Sequence, residues 1–81
     1  MYSRLRLREK NENTVVYFYG VDKKDAPSDG EIEFDIKADT FKTLKRATGD
    51  DDGYHAKWLF GHLRTVILKE GCPEKRVLAI G

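Results

Sequence analysis

The sequence predicts a two-layer α+β domain, β-β-β-α-α-β in chain order, with a largely antiparallel sheet and its helices packed on one face. Three observations predict it. Residues 31–37 alternate strictly between apolar and charged side chains, the period of a half-buried strand. Residues 54–70 carry apolar side chains at helical spacing. The chain has 81 residues, 36% charged and 40% hydrophobic, which suits a single domain over 1–81 with one sheet and one layer of helix.

The first strand is expected where Leu5 and Leu7 alternate with Arg4, Arg6 and Arg8. Residues 9–13 are polar and rich in asparagine, the chemistry of a hairpin loop. Residues 14–21 are β-branched and aromatic and predict the second strand. A loop follows over 22–30, with Pro27 and the Asp29-Gly30 turn pair. In the third strand Ile32, Phe34 and Ile36 share one face, and Glu31, Glu33, Asp35 and Lys37 the other.

A short helix is expected next. Asp39 stands as N-cap, Phe41, Leu44 and Thr48 lie at i, i+3 and i+7, and Gly49 marks the stop. The acidic run at 50–52 then precedes the long helix, where negative charge suits the positive end of the helix dipole. Gly71 and Pro73 end that helix. Residues 77–80 are continuously apolar and predict a last strand buried on both faces.

Two surfaces stand out. On the long helix Ala56, Leu59, Phe60, Leu63, Val66 and Ile67 form the core stripe. A second row, Tyr54, Trp58, Gly61, Thr65 and Leu68, runs roughly opposite to it. The row spans about 21 Å and the short helix only about 14 Å, so part of the row is expected to stay uncovered and to bind a partner protein or a second copy of the chain. On the sheet, alternation places Leu5, Leu7, Val16, Phe18, Ile32, Phe34 and Ile36 toward the helices. Arg4, Arg6 and Arg8 then share the opposite face with Val15, Tyr17 and Tyr19, and with the carboxylates of the third strand. Arginines with tyrosines could hold a nucleic-acid strand by phosphate contact and base stacking. The alternative is cross-strand ion pairing, favoured by a net charge of only +1.

Other chemistry is sparse. His55 and His62 are about 10 Å apart along the helix axis, too far to share one metal ion. Cys72 is the sole cysteine and stands at a helix C-terminus, the wrong end to activate a thiol. The acidic run fails as a calcium loop, because its twelfth position is Leu59 where a glutamate is needed. No nucleophile elbow or phosphate-binding glycine loop is present. The N-terminal residues lack the apolar core of a secretory signal, and no run approaches the length of a membrane span. The expectation is therefore a small cytoplasmic interaction domain without cofactor or metal and without enzymatic activity. Self-association through the long helix leads, nucleic-acid binding by the Arg/Tyr face follows, and a small enzyme or enzyme subunit is third.

Overall fold

The computed structural model describes residues 2–21 and 26–79. Five strands, β1 (Tyr2–Lys10), β2 (Thr14–Tyr19), β3 (Gly30–Asp35), β4 (Thr40–Lys45) and β5 (Lys75–Ala79), form one antiparallel sheet in the order β4-β3-β2-β1-β5. One helix, α1 (Tyr54–Lys69), lies on one face of it. The α+β class and the antiparallel sheet hold. The order is β-β-β-β-α-β, with one helix where two were expected.

The short helix is replaced by β4. Two apolar residues and a threonine at helical spacing are a weak signal. Phe41 and Thr43 also alternate with Thr40, Lys42 and Leu44, and the two threonines favour extended backbone. Pairing with β3 fills that strand's free edge and sets Phe41 beside Phe34, ring centroids 4.6 Å apart, with Phe60 of α1 stacked on Phe41 at 5.0 Å. Asp39 is no helix cap. It takes a left-handed φ of 55° in the β3–β4 turn, and its carboxylate holds Arg64 of α1 at 2.8 Å. Gly49 does adopt a positive φ, in the turn where the Asp50 N–H donates to the Ala47 carbonyl.

The β1–β2 turn forms as its asparagines suggest. Asn11 Oδ1 accepts from the N–H groups of Asn13 and Thr14, both at 2.8 Å. The side-chain phase of β2 is opposite to the expected one. Tyr17 pairs with Leu7 and Ile32, and Tyr19 with Leu5 and Gly30, so both tyrosines face the helix and are fully buried. Val16 and Phe18 therefore point to the other face. Between Val15 and Tyr19 no polar residue marks a side, and a one-residue change of phase exchanges the faces completely. Gly30 settles the matter sterically. A Cβ there would stand 2.2 Å from the Tyr19 ring, so only glycine leaves room for it.

β5 is an edge strand, not one buried on both faces. Val77 is 53% exposed while Leu78 is buried; Ile80, the end of the expected strand, lies outside the described residues, as do residues 22–25 of the expected loop. The helix stripe is as read: Ala56, Leu59, Leu63, Val66 and Ile67 are buried and Phe60 half-buried. With Leu5, Val15, Tyr17, Tyr19, Ile32 and Phe34 they make up most of the core among the described residues.

Two substitutions test this packing. Leu63→Ala should cost about 2–5 kcal/mol in a urea melt, since its side chain is wholly enclosed. Gly30→Ala should cost about 1–3 kcal/mol for the forced contact with Tyr19, and combining it with Tyr19→Ala should recover part of the space.

Candidate functional site

Most of the second row of α1 is open to solvent, while Trp58 also packs against the core. Tyr54 is 69% and Leu68 49% exposed, Gly61 and Thr65 are exposed, and Trp58 is half-buried. The Trp58 ring lies between His55 and His62, with centroids 5.5 and 5.2 Å away, so the two histidines form a ladder with it along the helix. No metal-binding cluster of His, Cys, Asp and Glu occurs among the described residues. At Gly61 an added Cβ would meet nothing within 4 Å. Lys57 and Arg64 border the row on one side, and α1 contains no acidic residue.

The Arg/Tyr face does not assemble as expected. Arg4, Arg6 and Arg8 are exposed on the outer side of the sheet, but Tyr17 and Tyr19 are in the core beneath α1. In their place the outer side carries Phe18, whose ring lies 5.0 Å below the Arg6 guanidinium. Arg8 is tied to Glu31 at 3.2 Å and Glu9 at 3.3 Å, the cross-strand pairing that the charge pattern suggested.

The buried tyrosines instead hold the helix. Tyr17 donates to the Pro73 carbonyl at 2.6 Å, and burial pushes its pKa up to about 12. Tyr19 donates to Asp50 Oδ2 at 2.6 Å and accepts from the Ala47 N–H at 3.0 Å. Burial first, and then the Asp50 carboxylate, raise its pKa. Asp50 is itself only 3% exposed. Its two oxygens accept from the N–H groups of His55 at 3.0 Å and Ala56 at 3.1 Å, so it caps the first turn of α1. Asp52 caps the Tyr54 N–H in the same way at 3.0 Å. The acidic run thus serves the helix start, as its sequence position implied.

Ser3, His55 and Asp50 meet at this point and resemble a nucleophile, base and acid. The geometry is wrong for that chemistry. Ser3 is buried and donates to the Gly20 carbonyl at 3.0 Å, with His55 Nε2 at 3.4 Å. Asp50 binds the backbone of His55, whereas a triad needs it on the ring. Sequence reading missed this cluster because Ser3, Tyr19 and Asp50 come together only through the phase of β2.

A cleft of about 330 Å³ opens on the outer side between β1, β5 and the loop at residues 26–29, lined by Arg4, Leu5, Arg6, Ser28, Lys75, Arg76 and Val77. A second, of about 360 Å³, lies near the helix start beside Lys45, Arg46, Asp52 and Lys57. Among the described residues no helix is long and apolar enough to cross a membrane. Compared with family models, characterised proteins and solved structures, the chain matches none.

The Asp50 cap carries a pH signature. Burial acts to raise its carboxyl pKa, but the Tyr19, His55 and Ala56 hydrogen bonds together pull it below the ordinary 3.8. A group with a depressed folded pKa contributes stability that is complete above its unfolded value and is lost as pH falls through the folded one. Asp50→Asn should therefore lower stability by about 1–3 kcal/mol at neutral pH. It should also flatten the loss of stability below pH 3.8, measured by urea melts across that range.

Proposed function

We propose that this chain is a non-enzymatic protein–protein interaction domain of the cytoplasm that associates with a second copy of itself through the exposed row of α1. The observation that carries this reading is Gly61. A glycine inside a helix costs about 1 kcal/mol relative to alanine. The open space above it means that the fold gains nothing in return. A surface that another helix must approach closely does need a missing side chain, because interaxial distance follows the residues at the crossing.

The row suits a two-fold pairing centred on that glycine. Tyr54 and Leu68 lie seven residues to either side of Gly61, and Trp58 and Thr65 three and four. An antiparallel partner related by a dyad at Gly61 would set Tyr54 against the partner copy's Leu68 and fold Trp58 toward its Thr65. Tyrosine and tryptophan are favoured interface anchors. One helix pair is a small contact, so the expected dissociation constant is on the order of 10–100 μM.

The flanks oppose one another. The same pairing brings Lys57 toward the partner copy's Arg64; α1 itself has no acid, and Asp39 of the β3–β4 turn offsets Arg64 alone. Added salt should therefore tighten the dimer, the reverse of an interface built on ion pairs.

The test is light scattering across concentration, paired with thermal melts. Gly61→Gln should raise stability by up to about 1 kcal/mol, because Gln is the better helix former and meets no neighbour. It should also abolish the dimer. Trp58→Ala should weaken association by about 2 kcal/mol, roughly thirtyfold. A wild-type protein that stays monomeric at millimolar concentration would refute self-association.

A further inference from the structure

We propose that the outer cleft between β1, β5 and the loop at residues 26–29 binds a small molecule carrying a phosphate monoester on an apolar body. Of the seven described residues that line it, four are cationic and none is acidic. The net charge of the whole chain is only +1, so this is a local concentration of charge rather than a share of a basic surface.

The cations differ in what they have left to give. Arg76 pairs with the core-facing Leu5 and is held by Glu70 at 2.8 Å on the helix side of the sheet, so it offers no charge to the outer face. Arg4, Arg6 and Lys75 have no carboxylate within ion-pair distance among the described residues. Arg4 and Arg6 are two residues apart on β1, about 6.6 Å, and Lys75 pairs directly with Arg6 across the strands. Three long side chains with these origins can close on one phosphate group. Arginine forks match its oxygens in pairs, and a lysine adds a point charge.

Arg4 is partly fixed beside the cleft, whereas Arg6 is held toward β2 and turns back across β1 to reach the ligand. Arg6 rests on the Phe18 ring at 5.0 Å, and Arg4 donates to the Ala26 carbonyl at 3.4 Å. Holding a flexible side chain in place lowers the ordering cost of binding. The Ser28 side of the cleft supplies a hydroxyl-bearing residue, and the exposed Val77 supplies apolar lining, while the Leu5 side chain is turned into the core. The size, about 330 Å³, falls at the low end of small-molecule sites.

A nucleic-acid strand is the less favoured occupant. One strand beyond Phe18 the same sheet face carries Glu31 and Glu33, which would repel a phosphodiester chain laid across the strands. The cleft at the helix start is also less suited. The first-turn N–H groups that would greet an anion there are already taken by Asp50 and Asp52.

The experiment is a ¹⁵N-edited NMR titration of the full chain with phenyl phosphate, benzoate, inorganic phosphate and a short oligothymidylate. Phenyl phosphate is expected to give saturable shifts confined to residues 4–6, 28 and 75–77, with benzoate and inorganic phosphate weaker. Arg4→Gln and Arg6→Gln should each weaken it at least about tenfold while the spectrum keeps its folded dispersion. Arg8→Gln, on the same face but bound to Glu31, should leave it unchanged. Any one of three results would overturn the proposal: no saturable shift, equal loss in Arg8→Gln, or oligothymidylate binding more tightly than phenyl phosphate.

Discussion

The structure depends on one attachment, the fastening of a single helix to a sheet by two tyrosines of β2. Tyr19 reaches Asp50, which caps α1, and Tyr17 reaches the Pro73 carbonyl in the connection that leaves it. The two rings also fill the core beneath the helix. A buried carboxylate is costly unless its oxygens are satisfied. Asp50 meets that condition with a phenol and two backbone N–H groups, and in doing so joins β2, the turn after β4 and the helix start. The Asp29 carboxylate ties the same turn to the start of β3 through Thr48, at 2.8 and 2.6 Å. In so small a domain, these few polar contacts tie both ends of α1 to the sheet.

One helix covers one face, so the other face must be made compatible with water. Arg6 lies across Phe18, and Arg8 reaches across the sheet to Glu31. Long charged side chains shield apolar surface with their stems while keeping their heads solvated. The two edges carry lysines, Lys42 and Lys45 on β4 and Lys75 on β5, which discourage pairing with another sheet. Bulges between Leu7 and Glu9 and near Leu44 interrupt the pairing on both sides of the sheet.

Sequence pattern carried the elements whose faces differ in polarity. β1, β3 and the stripe of α1 alternate or recur cleanly, and Phe34, Leu63 and Ile67 are core as their positions imply. It failed where chemistry did not mark a side. Residues 15–19 are apolar throughout, so the phase of β2 was undetermined by pattern, and with it the Arg/Tyr face. The clue was present in Gly30, which reads as a turn residue but is the gap that admits Tyr19. The segment at 40–45 fits both a helix and a strand, and the unfilled edge of β3 decides between them. The exposed row of α1 was legible because it needs only the geometry of one helix. The cationic cleft was not, since it joins the first strand to the last.

Each of the two surfaces carries a local cost to the folded chain, which contacts within the chain offset in part only at the cleft, where Arg6 covers Phe18 and Arg4 bonds the Ala26 carbonyl. Gly61 weakens its own helix while standing beneath open space. Arg4, Arg6 and Lys75 crowd like charges with no acid within reach among the described residues. Other costly groups here are repaid internally, the buried Asp50 by its cap, the left-handed Asp39 by Arg64, and Gly30 by the Tyr19 ring. A small domain has little stability to spare. The cost at Gly61 is the one that no contact among the described residues offsets. The row and the cleft lie on opposite layers, so a partner on α1 leaves the cleft open, and occupation of one does not require vacancy of the other.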